Sequence, residues 1–292
     1  TDGYGNRYLT VTEPAYTHYP SMGLKVRAAN PRGSKHMLQQ TAATYMYKVS
    51  AGYSPEKLAL AGASVQTWSN EVPVLDEGTQ PDVWRKHASW SFTGDNGVVM
   101  DGDGFYPMSS LPAAFNAWNK NDPPPAGWQK NGAITLYDVH SHALEATDIN
   151  DHYAATKMSS DQTQVFATAS NASYDQFAYS GAEDKAIAGI YGGGAGQGDA
   201  EEDDTQAHTG RKSLKVTGSS KKAFLYTLTM EAGKGYHVSV WTNSLSGKLY
   251  YRINGDLKPP VGYNSENRAD FWYLLSADIP PAAAGSTLEI WC

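Results

Sequence analysis

Apolar and polar residues alternate with a period of two along much of this chain, in short runs separated by turn-forming residues. That period places successive side chains on opposite faces of a strand. Residues 3–12 read as a turn leading into a strand. Thr41–Val49, rich in Thr, Tyr and Val, predicts a second strand. One short helix has room at residues 54–60, where Ser54 can cap and Pro55 occupies the first helical position. The pattern is densest in the tail. Residues 213–216, 224–229, 236–242, 248–253, 271–277 and 287–291 each read as strands, parted by turns such as Ala232-Gly233-Lys234-Gly235 and Asn254-Gly255-Asp256. Six short strands in so small a span predict a β-sandwich over 205–292.

The middle is less regular. Residues 61–135 carry Trp68, Trp84, Trp90, Trp118 and Trp128 around the turn signals Asp101-Gly102-Asp103-Gly104 and Asn121-Asp122-Pro123-Pro124-Pro125, and read as a loop-rich aromatic module. Residues 133–138 and 164–169 predict strands, with 148–153 a turn between them. A Gly-rich acidic stretch, 186–204, then reads as a flexible loop separating a β-rich segment, 1–185, from the sandwich.

Composition agrees with an all-β chain of antiparallel sheets. Only 18% of the 292 residues are charged, while Gly (28), Tyr (19) and Pro (15) are plentiful, which disfavours a Glu-, Lys- and Leu-rich helical bundle. The formal net charge is -7 and basic residues are scattered, so the footprint of a nucleic-acid binder is missing. No apolar stretch approaches the roughly 20 residues of a spanning helix. The single cysteine, Cys292, rules out a disulfide framework within these residues and a thiolate-cluster zinc site. Leu288, Ile290 and Cys292 alternate with Thr287, Glu289 and Trp291 up to the last residue. The chain is therefore expected to be a window from a longer protein, with the sandwich edge beside 287–292 covered by the rest of the parent chain or a neighbouring protein strand.

Two stretches resemble known families. Residues 207–216 (Ala-His-Thr-Gly-Arg-Lys-Ser-Leu-Lys-Val), 232–241 (Ala-Gly-Lys-Gly-Tyr-His-Val-Ser-Val-Trp), Trp272-Tyr273 and 284–290 resemble jelly-roll carbohydrate-binding modules. Such modules usually close with one more strand, which would fall beyond Cys292. Residues 134–138, 143–148, 153–155 and 169–184 resemble the large RHS/YD-repeat-type surface proteins of Bacteroidota-like bacteria, and Asp2-Gly3-Tyr4-Gly5-Asn6-Arg7 is similar to a YD-repeat turn. The sequence departs from that pattern at His140-Ser141-His142 and at Ala182. The resemblance implies a secreted or cell-surface protein with a jelly-roll sandwich after the repeat-like segment.

Candidate chemistry is sparse. His140 and His142, with Asp138, Asp148, Asp151 and His152 nearby, offer imidazole and carboxylate ligands for a transition metal, against a plain polar turn. Asp101, Asp103, Glu201 and Asp203 are weak calcium candidates, since they lack the full spacing of a calcium loop. No other cofactor is implied. No phosphate-binding Gly motif, GxSxG or HExxH occurs. Sugar rings stack on aromatics and hydrogen-bond to flanking polar groups, which singles out Tyr251, Tyr263 and Trp272 with Arg252, Asn264, Asn267 and Arg268 as glycan-binding candidates. The expected function is a non-catalytic structural or adhesive segment. The alternatives are a carbohydrate-binding module for a polysaccharide and a fragment of a polysaccharide-active enzyme.

Overall fold

In a computed structural model, the described residues are 5, 7–25, 30–49, 58–76, 78–80, 82–94, 106–107, 115–159, 161–183, 200–218, 222–263 and 268–292. Among them the regular structure is almost wholly antiparallel β, with a few single 3-10 turns. The helix expected at 54–60 lies mostly outside the described residues, as does most of the Gly-rich stretch. The chain divides into two compact units, Thr1–Tyr153 and Ala154–Cys292, so residues 154–183 group with the second.

The first unit is a twisted sheet. Its strands are β1 (Arg7–Pro14), β2 (Thr41–Val49), β3 (Leu58–Ser69), β4 (Arg85–Phe92), β5 (Trp128–Tyr137) and β6 (Ala143–Thr147), joined antiparallel in that order. The reading of 61–135 as loop-rich is corrected here: Trp68 lies within β3 and Trp90 within β4. Tryptophan is a strong strand former when one face is covered. Ala43 of β2, Val65 of β3 and Ala88 and Trp90 of β4 line one buried face and pack against Phe115 and Ala117. Trp90, Trp118 and Trp128 all meet the Phe115 ring at 4.8–5.5 Å in edge-to-face geometry. A second cluster gathers Ala15, Tyr19, Met22, Ala42 and Trp68. There the Tyr19 hydroxyl donates to the Trp118 carbonyl at 2.6 Å and accepts from the Trp68 N–H at 3.0 Å. Burial pushes its pKa up to about 12. Register shifts interrupt all five pairings between these six strands, the feature of strands that bend around a core.

The second unit holds the hairpin β7 (Tyr153–Met158) and β8 (Val165–Ser170), the pair β9 (Glu201–Asp203) and β10 (Ser213–Lys215), and two facing sheets. The further strands are β11 (Tyr226–Thr229), β12 (Tyr236–Thr242), β13 (Tyr250–Ile253), β14 (Asp256–Leu257), β15 (Arg268–Ala269), β16 (Trp272–Ile279) and β17 (Thr287–Trp291). One sheet runs β11-β17-β13-β14 and the other β12-β16-β15. Leu288 and Ile290 from the first meet Leu275 and Ile279 from the second, with Met230 and Leu249, in a sandwich-like core. Asn254 and Gly255, both at positive φ, form the two-residue turn between β13 and β14, as the Asn-Gly signal predicts. Glu201–Asp203, read from sequence as part of an acidic loop, is a strand. The expectation of a sandwich edge beside 287–292, awaiting a parent or partner strand, is not met at β17: β11 and β13 pair with it on its two sides, so it is an interior strand of its sheet. Its apolar alternation is the mark of a strand covered on one face, and says nothing about lateral pairing.

Candidate functional site

The histidine-rich turn is built around a buried carboxylate. Asp138 follows β5 and accepts the backbone N–H of His140 at 2.9 Å and of His142 at 2.8 Å, while its second oxygen lies 2.7 Å from His142 Nδ1. Ser141 sits at φ +70° and takes a 2.9 Å hydrogen bond from the buried Arg85 Nε. Ten residues on, Asp148 repeats the device: its carboxylate accepts the N–H of Asn150 and His152, and Asp151 adopts φ +58°. These backbone donors hold Asp148 below the usual carboxylate range, that of His152 first and that of Asn150 second. At 159–164 the Ser159 hydroxyl takes the carboxylate's place, accepting the N–H of Thr163 and Gln164, with Gln162 at φ +58°. The repeat is visible in sequence as Asp followed four residues later by His, twice, at a spacing of ten. Among the described residues no group of three or more His, Cys, Asp or Glu is arranged to hold a metal ion.

Other acidic side chains are engaged in the same way. Asp203 accepts the Thr205 hydroxyl and N–H and is held below its ordinary pKa, chiefly by that hydroxyl. Glu202 pairs with Lys212 at 3.1 Å. Glu183 receives the N–H of Arg211 and Lys212, which lower its pKa, Arg211 first. Glu201, the remaining described calcium candidate, is an exposed residue of β9. Asp101 and Asp103 lie outside the described residues.

The proposed glycan-binding residues do not form one surface. Tyr251 is packed against the sandwich core. Arg252 lies over the Trp291 ring at 4.8 Å and 2.7 Å from Glu289. Trp272 meets the edge of His208, whose ring stacks on Trp241 at 4.0 Å. Tyr263 and Arg268 do come together: Tyr263 is exposed and meets Tyr273 edge-on at 4.7 Å, and Arg268 covers the Tyr273 ring at 5.9 Å. Asn264 and Asn267 lie outside the described residues. Tyr273 carries the resemblance to carbohydrate-binding modules as part of Trp272-Tyr273, but as a position in an alternating strand it is like any core tyrosine and is not among the glycan-binding candidates.

A cleft of about 810 Å³ opens in the second unit. Its walls are β12 from Tyr236 to Trp241, residues 169–172 and 176–182, Ser213 and Leu214 of β10, and the β11 and β17 ends of the other sheet. Glu231 is the carboxylate in this lining. It accepts from the Ser173 hydroxyl at 3.2 Å and lies 3.6 Å from Lys234. Tyr226 and Cys292, both in the lining, have their pKa raised by burial, the thiol to about 11. A thiol so placed stays protonated at neutral pH and is a poor nucleophile. Outside the cleft, Lys157 is fully buried, with Nζ 2.5 Å from the Tyr174 carbonyl oxygen and 3.1 Å from the Tyr174 ring centre.

In the first unit, His87 is held neutral. Burial lowers its pKa to about 4, and the charges of Lys120 and Lys130 add to the effect. A folded-state pKa below the unfolded value means that the unfolded chain takes up the proton first. The contribution to stability is therefore complete above pH ~6.5 and is lost as pH falls toward 4. Lowering the pH from 7 to 4.5 should remove about 2 kcal/mol through this group. His87→Gln should flatten that part of the pH profile of the thermal midpoint. An unchanged acid limb would exclude His87 as its source.

Among the described residues no helix is long and apolar enough to cross a membrane. Compared with family models, curated proteins and solved structures, the chain matches none.

Proposed function

We propose that the chain is a non-catalytic structural or adhesive segment of a large secreted or cell-surface bacterial protein. The observation that carries this reading is where the carboxylates go. Asp138, Asp148, Asp161, Glu183 and Asp203 all accept hydrogen bonds that fix turns and loops. Hydrolysis of a glycosidic bond uses two carboxyl groups ~5–10 Å apart across a cleft, whereas among the described residues of the cleft lining Glu231, beside Lys234, is the one carboxylate. Incubating the chain with a panel of polysaccharides should release no reducing ends. Release that disappears in Glu231→Gln would sink the non-catalytic reading.

A second reading, binding of a polysaccharide, has one specific observation in its favour: the exposed Tyr263 ring against the half-buried Tyr273, with Arg268 alongside. An aromatic face next to a guanidinium offers a sugar both a stacking surface and hydrogen-bond donors. In affinity electrophoresis a bound polysaccharide should retard the chain, and Tyr263→Ala should weaken that retardation roughly tenfold. Equal retardation of both proteins would remove this patch from consideration, and no retardation by any polysaccharide would remove the reading.

A further inference from the structure

The turn between β5 and β6 carries two imidazoles, and the fold treats them unequally. His142 is held in place: its Nδ1 lies 2.7 Å from Oδ2 of Asp138, which is 1% exposed. A carboxylate oxygen accepts, so the proton of this contact sits on Nδ1 and the ring's lone pair on Nε2. Nε2 has no partner among the described residues, and the side chain is 49% exposed. A carboxylate behind an imidazole in this way fixes the ring's orientation and makes its outer nitrogen a stronger donor to a metal ion.

His140 stands two residues earlier, and its ring centre is 6.2 Å from that of His142. An ion bound by an imidazole nitrogen at about 2.0–2.1 Å lies about 3.2 Å from the ring centre, so two rings sharing one ion have centres at most about 6.4 Å apart. The observed spacing is inside that reach. Both residues are exposed, and the His140 ring, which takes no hydrogen bond among the described residues, can rotate to close the ligand angle. The backbone need not move, because Asp138 already holds the N–H groups of both histidines. Ser141 is excluded as a ligand while its hydroxyl accepts from Arg85. The base of the turn carries one carboxylate and one guanidinium, Asp138 and Arg85, so it presents no net positive charge to a cation.

The next turn shows that the fold does not require this pair. Asp148 fixes the same backbone path with Asn150 in the place of His140, and Nδ1 of His152 lies 3.5 Å from its carboxylate rather than 2.7 Å. The turn closes equally well with one imidazole. We propose that His140 and His142 form a surface site for a divalent transition-metal ion of the kind imidazole prefers, Zn²⁺, Ni²⁺ or Cu²⁺, with Asp138 as the positioning residue behind His142. Two protein nitrogens hold the ion and water fills its remaining positions. Such a site is open and exchanges its ion, unlike the closed four-ligand sites that hold a fold together.

Calorimetric titration of the 292-residue chain tests this. Zn²⁺ and Cu²⁺ should each fill a saturable site, Cu²⁺ more tightly, and Mg²⁺ should give no binding. His140→Ala and His142→Ala should each weaken the site roughly tenfold or more, and the double variant should lose it with its circular dichroism unchanged, since both positions are exposed. Asp138→Asn should weaken Zn²⁺ binding by about 10–100-fold. In its ¹⁵N spectrum the His142 ring should lose the single Nδ1–H tautomer, which a general loosening of the fold would not select. Asn150→His, which puts a second imidazole on the sister turn, should add a second and weaker site. Zn²⁺ binding that persists in the double variant places the ion elsewhere and overturns the proposal, as does no binding or equal affinity for Mg²⁺. An unchanged His142 tautomer in Asp138→Asn overturns the role of Asp138. An Asn150→His variant without a new site overturns the turn spacing as the basis of binding.

Discussion

Asp138→Ala is expected to destabilise the first unit by about 3 kcal/mol, while Asp148→Ala, in a turn of the same design, should fall within the small range of ordinary surface substitutions. The two carboxylates make the same pair of backbone hydrogen bonds. Their surroundings differ. Asp138 is 1% exposed beneath an exposed turn, so removing it empties a buried site and takes the acceptor from the N–H groups of His140 and His142. The same turn presents the Ser141 hydroxyl to Arg85, itself 4% exposed, so a relaxed turn also takes a partner from a buried guanidinium. Around Asp148 the side chains are open to solvent, and water can replace the lost acceptor. Denaturant unfolding of the two variants gives the comparison directly. Equal shifts in midpoint would mean that burial is not what separates the turns. Asp138→Asn, which keeps one acceptor oxygen, should recover part of the loss.

The contrast also shows what was legible in the sequence. Strand positions were, because the alternation that marks them is imposed by burying one face: Thr41–Val49, Tyr236–Thr242 and Thr287–Trp291 fall where the pattern puts them. Lateral pairing was not. The pattern of Thr287–Trp291 is the same for a central strand as for an edge, and only the fold shows β11 and β13 on its two sides. Trp68 and Trp90 were obscured by the turn signals around them, although their strands are long. For the candidate chemistry, His140 and His142 share a turn because Asp138 organises its backbone. A search for ligands sees the imidazoles and misses the hydrogen bonds to main-chain N–H groups. Tyr263 and Arg268 are near neighbours in sequence, but what joins them is Tyr273, which β15 and β16 bring opposite Arg268.

In the second unit, Leu288→Ala should cost about 3–4 kcal/mol and Val240→Ala about 1 kcal/mol, although both residues face the same core. Leu288 is fully buried in the central strand, where β11 and β13 hold the backbone on both sides and prevent the cavity from collapsing. Val240 lies on β12, half-buried at the open cleft, so truncating it removes fewer contacts and leaves a space that solvent already enters. Unfolding midpoints of the two variants in the 292-residue chain measure the difference.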